Sequence, residues 1–288
     1  MKKFTTSNNF LAAFAVFVVS VVCCHGQPFR AIGQWDYKAG GFASTNVIVE
    51  TNGIAQTNAV MRWTSRQGVA LEFLQEDWLE GADALTNTGG PEGYGLWPGA
   101  ETVSNQTVIA GIMAVKPEEL RVRSALLTGM GESVVRLSNR PGGGEFGHWD
   151  RVGPAEGVQI FVNGVPDAKL QAGVWQVVTF ILPAEAPLYN MMVAGDPGLP
   201  TAGRRTFQGE VRHVTLLGRV GVSTGGVGTS IGGVETAELE PALRAMERVL
   251  AVRYQIPGIR TSKNFERSAA KATRWHDYGQ FPTLLMIK

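Results

Sequence analysis

The chain has 288 residues, including 36 Gly and 14 Pro, and its 26 basic and 25 acidic residues leave a formal net charge of +1. A balance this even, with no dense basic stripe, excludes the electrostatic footprint of a nucleic-acid or anionic-membrane binder. Abundant Gly and Pro alongside many Val and Thr predict short strands joined by tight turns.

In chain order, Lys2 and Lys3 precede an apolar run at 10–22, and a small-residue exit closes at Gly26. This is the layout of a secretory signal peptide. The run is 13 residues long, short of the ~18–20 needed to cross a hydrocarbon core. The expectation is cleavage after Gly26, with Cys24 and Gly26 at the small-residue subsites, and a mature chain that is secreted, surface-exposed or periplasmic. The alternative is a retained segment that tethers an extracellular domain. A lipoprotein is disfavoured because Val22 and Cys23, not Gly or Ala, precede the candidate cysteines. Cys23 and Cys24 are the two cysteines of the chain. Once the leader is removed, no disulfide, zinc–thiolate site or thiol nucleophile is available, and the core alone must hold the fold.

From residue 29 onward, strand-like runs alternate with turn residues. They fall at 45–50, 59–63, 69–74, 107–115, 124–128, 133–138, 157–162, 175–182, 189–194 and 209–217. Breakers such as Asn52-Gly53, Gly89-Gly90-Pro91, the 141–144 stretch and Asn163-Gly164 separate them. Ten or so strands at this spacing, with one helix, predict a sandwich of two antiparallel sheets. Asn163-Gly164 suits a type I′ hairpin turn, which needs positive φ at both central residues. In the strand that follows, Trp175, Val177 and Thr179 alternate with Gln176, Val178 and Phe180. Both sets carry apolar residues, so the strand is read as covered on both sides. The Gly-rich stretch 221–233 reads as a loop. A helix is expected from about 240 to 255, with Pro241 at its first position. Its stripe Leu243, Met246, Leu250 and Tyr254 would pack on the sandwich, and Pro257-Gly258 ends it. The division is therefore a leader at 1–26, a β-sandwich at 27–259 and a tail at 260–288. The apolar end of that tail, 281–287, reads as a last strand or a docking segment.

The order of these elements resembles a known family. Phe161-Val162-Asn163-Gly164, then Gly173-Val174-Trp175-Gln176-Val177-Val178-Thr179-Phe180, is similar to the strand, Asn-Gly turn and Trp-bearing strand of laminin-G-like, concanavalin A-like domains in secreted bacterial proteins. Phe207-Gln208-Gly209-Glu210-Val211 resembles their F-x-G-x-[IV] strand. The helical end at 250–256 resembles their closing helix, and 107–117 with 124–129 resembles an early strand pair. Gln255 departs from the Gly usual after Tyr254, and a Gly-rich insertion precedes the helix. The resemblance spans roughly 105–257. It implies an all-β jelly-roll sandwich with one C-terminal helix, and binding of glycans or extracellular proteins, often through calcium at the sheet rim. Fold alone does not fix function.

Candidate chemistry follows residue by residue. Trp97, with Tyr94 nearby, and Trp149 beside Asp150 sit in expected loops, where an aromatic face with polar neighbours suits sugar stacking. Their plainer role is to plug the core edge. Trp63 and Trp175 read as core. Glu145, Asp150, Asp167 and Asp196 lie in loops that suit oxygen ligation of calcium, Asp196 foremost, although Asp before Pro-Gly is ordinary turn chemistry. Glycoside hydrolysis needs two carboxylates about 5–10 Å apart. Glu72 and Glu76 come closest, on one face if their strand continued, but a charged strand edge explains them equally well. His213 is read as a satisfied sheet histidine with Arg212 pointing the other way. No G-x-S-x-G or H-E-x-x-H motif occurs, so neither a serine elbow nor a zinc-protease site is supported. The expectation is a binding or adhesion module without catalysis. The alternatives are a carbohydrate-active enzyme on the same sandwich and a structural subunit of a surface assembly.

Overall fold

The computed structural model describes residues 30–261, apart from 52–53, 75–76, 89–94, 99–105, 130–131, 139–141, 149–150, 155, 188–190, 196–205 and 221–232. The expected leader at 1–26, the Asn52-Gly53 breaker, all but Gly233 of the expected loop at 221–233 and the expected tail from 262 onward lie outside the described residues. No described helix is long and apolar enough to cross a membrane.

The strands are β1 (Arg30–Asp36), β2 (Phe42–Thr51), β3 (Ile54–Thr64), β4 (Ala70–Leu74), β5 (Trp78–Glu80), β6 (Leu85–Asn87) and β7 (Trp97–Pro98). Next come β8 (Gln106–Pro117), β9 (Ala125–Gly129), β10 (Glu132–Arg136), β11 (Gly147–His148) and β12 (Arg151–Val152). The last are β13 (Gln159–Val162), β14 (Val165–Pro166), β15 (Gln176–Pro187), β16 (Met192–Val193) and β17 (Gly209–Val220), followed by the helix α1 (Gly233–Tyr254). Each expected run overlaps one of these strands. The additional strands are short or, like β1, lie where the sequence shows no alternation.

One layer is an eight-stranded sheet in the order β14-β13-β15-β8-β17-β6-β5, with β1 also on β17. β6 pairs the start of β17 at Gly209 to Val211 and β1 pairs it from His213 to Gly218, so both share one edge. The other layer is built from the four-stranded sheet β2-β3-β4-β7 and the three-stranded sheet β10-β9-β16. Leu96 and Val193 exchange both backbone hydrogen bonds, 2.7 Å each, and so join these two sheets side by side. The core lies between the layers. Trp35, Met113, Phe180, Val214 and Leu216 from the large sheet pack with Trp63, Leu71, Phe73, Leu96, Leu127 and Val193 from the other. The fold is thus an all-β sandwich with one helix.

Strand alternation explains a second apolar cluster on the back of the large sheet. Ile112, Ala114, Val177, Ile181 and Leu217 point away from the sandwich and meet Leu243, Met246, Leu250 and Tyr254 of α1. The central strands β8 and β15 are therefore covered on both faces. Phe180 stands opposite Gly111, where a Cβ would come within 2.3 Å of its ring. A glycine there makes room for the ring.

The Asn163-Gly164 turn closes β13 onto β14 with φ of 51° and 81°, as its chemistry demands. The helix differs from expectation. It begins at Gly233, and Pro241 lies inside it. Proline is favoured at a first turn because its missing N–H costs nothing there, but the helix-forming run before it carries the helix through. Arg212 also differs. The register of β17 on β8 slips between Val211 and His213, and such a bulge re-aims side chains. Arg212 and His213 both turn toward Tyr254: the guanidinium lies 5.8 Å and the imidazole 6.4 Å from its ring.

Candidate functional site

The junction of the two smaller sheets lies beside Trp97, one of the expected binding residues. Gly95 and Gly195 meet back to back. A Cβ on Gly195 would fall 2.5 Å from the Cα of Gly95, and one on Gly95 would fall 2.6 Å from Met192. Only residues without a side chain allow the two backbones to approach this closely. Tyr94 and Asp196 lie outside the described residues, and each is the chain neighbour of one of these glycines. Trp97 lies in β7 itself, not in a loop, and is half-buried against the core.

Trp97 stands opposite Glu72 on β4, and Glu72 stands opposite Arg62 on β3. The Arg62 Nε donates to Glu72 Oε1 at 2.7 Å. An indole, a carboxylate and a guanidinium are thus set in one row across three strands, about 5 Å apart from strand to strand. In this row the indole stands at one end, with the carboxylate beside it and the guanidinium beyond. Glu76 lies outside the described residues, and the last described residue of β4 is Leu74.

Trp149 and Asp150 also lie outside the described residues. The strands on either side of them, β11 and β12, pair with each other and join the layer through a bridge between Leu137 and Phe146. Of the other acids proposed for calcium, Glu145 pairs with Lys169 at 2.5 Å. Asp167 closes the β14 turn with φ of 54°. Among the described residues, no group of three or more His, Cys, Asp or Glu is placed to hold a metal ion.

Trp63 is fully buried and stacks on Phe42. Trp175 is instead half-buried, with the Arg212 guanidinium 3.9 Å over its ring. Arg212 also donates to the carbonyls of Asp83 and Tyr254 and pairs with the Asp83 carboxylate.

A polar cluster under the C-terminal end of α1 was not legible in the sequence. His213 is fully buried, with Nδ1 3.4 Å from Asp36 Oδ2 and Nε2 2.7 Å from Thr215 Oγ1. Arg253 Nη2 donates to the other Asp36 oxygen at 2.7 Å. Burial alone would raise the Asp36 pKa, but the hydrogen bonds and charges of His213, then Arg253, outweigh it and hold the carboxyl down to about 2. Burial, with the charge of Asp36 beside it, raises the Tyr254 hydroxyl, which donates to the Arg212 carbonyl at 3.1 Å. A carboxylate, imidazole and hydroxyl in a row form the arrangement used for nucleophile activation. Here Thr215 has no exposed surface, so its oxygen meets no substrate, and the cluster tethers β1, β17 and α1 together. The spacing of His213 and Thr215 on one strand face was the one visible signal. Asp36 is 177 residues away in sequence.

Comparisons with protein-family models, curated proteins and solved structures returned no match. The reading of function therefore rests on the residues and geometry above.

Proposed function

We propose that the chain is an exported, non-catalytic binding module whose ligand is a glycan, with Trp97 as the stacking platform at the sheet junction. The observation that carries this reading is the joining of Leu96 to Val193 with the contact of Gly95 and Gly195. It sets Gly95, the chain neighbour of Tyr94, against Gly195, the chain neighbour of Asp196, and Trp97 stands opposite Glu72, which pairs with Arg62. An indole with adjoining hydrogen-bonding groups matches the two surfaces of a sugar ring, its C–H face and its hydroxyls. Asp196 would add an acceptor or a calcium ligand at the rim, and Trp149 with Asp150 would contribute a separate contact. The two-layer sandwich with α1 on its back also supports the finer assignment to a laminin-G-like jelly roll. The leader at 1–26 supports export to the cell surface or beyond.

A glycan array screened with the processed chain, with calcium and again with chelator, tests the reading. Binding to a narrow sugar class is expected. Trp97→Ala should weaken it by on the order of 2 kcal/mol, ~30-fold in Kd, if the indole is a central anchor. Loss of binding in chelator would assign calcium to the Asp196 rim. Unchanged affinity after joint replacement of Trp97, Trp149, Asp150 and Asp196 would refute the site. Silence in both conditions would turn the reading toward a protein ligand.

A further inference from the structure

The sandwich protects its edges unevenly. At the two ends of the large sheet, β14 is two residues long and carries Pro166, and β5 is three residues long and carries Glu80. Shortness, proline and charge are the usual means by which a sheet edge is kept from pairing with another chain. β2 is neither short nor interrupted by proline, and its one charge is Glu50. It is ten residues long and stands at the end of its sheet, with β3 as its one partner among the described residues. From Phe42 to Met61 the hairpin contains no Pro or Lys, and Glu50 is its single charge.

The same hairpin also outruns its sheet. β4 pairs β3 only between Val60 and Thr64, whereas β2 and β3 continue to pair from Asn46–Ala59 out to Thr51–Ile54. Over that length, roughly 20 Å at ~3.4 Å per residue, the described residues form a two-stranded ribbon. Such a ribbon is marginal by itself in water and is stabilised by further strands.

We propose that β2 pairs antiparallel with β2 of a second copy of this chain, continuing the smaller layer through a two-fold axis near Asn46 and Val47. This inference is independent of the ligand reading. The strand is self-complementary in that register: with the axis at Val47, Ser44 lies opposite Glu50 of the second copy and Asn46 opposite Ile48, so the one charge never faces itself. A net charge of +1 adds little repulsion between copies. The pairing would turn two two-stranded ribbons into one four-stranded segment and give β2 a second partner.

The test uses the secreted chain with Cys23→Ser and Cys24→Ser, so that an introduced cysteine is the sole thiol whether or not the leader is removed. Sedimentation equilibrium is expected to show a dimer that dissociates on dilution. Single cysteines placed in turn from Ser44 to Glu50 should self-crosslink best at Val47, which faces itself across the axis. They should fall at least ~tenfold at Ser44 and Glu50, because partners that far from the axis lie well beyond the ~7 Å Cα limit of a disulfide. Val47→Lys, which opposes two like charges across the axis, should raise the dimer Kd at least ~tenfold while thermal unfolding shows the fold intact. A monomer at up to about 100 µM, above the Kd of a specific interface of standard size, would overturn the proposal. So would crosslinking that is flat along β2. Crosslinking of Val47→Cys to Leu284→Cys in the tail would overturn it too, by assigning the edge to the C-terminal segment.

Discussion

Replacing Asp36 by Asn tests whether the buried cluster holds the helix to the sheet. The carboxylate sits at the end of β1, accepts from Arg253 at 2.7 Å, faces His213 at 3.4 Å and caps the 3-10 turn through the Ala39 N–H at 3.2 Å. Removing one partner of a buried pair costs about 3–5 kcal/mol. Arg253 retains some solvent contact, 21% of its side chain, so about 2–4 kcal/mol is expected at neutral pH. The pH dependence is the sharper signature. Held at about 2, below its ordinary value of 3.8, the carboxyl stabilises the folded state when ionised. That contribution is fully present above the unfolded pKa near 4 and is lost as pH falls through 2. At ~1.4 kcal/mol per pH unit it amounts to about 2.5 kcal/mol. Urea unfolding followed by tryptophan fluorescence at pH 2, 3, 4 and 6 should show the wild type losing about 2 kcal/mol more than Asp36→Asn between pH 4 and 2. Parallel curves for the two proteins would refute the coupling.

Other expectations concern packing and a second buried acid. Leu243→Ala, at a fully buried position between α1 and the sheet, should lower stability by about 2–5 kcal/mol in denaturant unfolding. Gly195→Ala forces a Cβ to within 2.5 Å of the Gly95 backbone. It should cost about 1–3 kcal/mol and weaken glycan binding even though no ligand contact is removed, while Gly173→Ala, which meets no atom within 4 Å and is strained only by its φ of 72°, should cost stability and leave binding unchanged. Glu247 is buried on α1, accepts from Thr179 at 2.5 Å and pairs with Arg244. Burial raises its pKa, only partly offset by Thr179 and Arg244. Its contribution is therefore full below the ordinary glutamate range and is lost as pH rises through the raised value. Glu247→Gln should remove that decline, so unfolding curves of mutant and wild type should draw together below pH 4 and separate above it.

What the sequence revealed and what it hid divide along the distance over which each feature is determined. Asn163-Gly164 was legible because two adjacent residues decide the turn, and the stripe of α1 because one turn of helix repeats it. The start of α1 was missed because a local rule about Pro241 was outweighed by the helix-forming residues preceding it. Pairings that span the chain left no such mark. Nothing in 30–36 announces that it will lie on β17, and nothing near Gly95 names Gly195 as its contact. The bulge at Arg212 is of the same kind: strict alternation turned Arg212 away from His213, and one slipped register on β8 brought both under Tyr254. The candidate site inherits this division. Trp97 could be singled out by residue type, but Glu72 and Arg62 became its neighbours only through the pairing of three strands, and Gly195 came near Gly95 only beside the long-range bridge between Leu96 and Val193. Single-residue chemistry thus nominated candidates, and nonlocal strand pairing set the neighbours of Trp97. The discriminating variants are accordingly the small residues that permit the pairing as much as the aromatic that would touch a ligand. If Gly195→Ala weakens binding as Trp97→Ala does, the site is a product of the junction, and not of Trp97 alone.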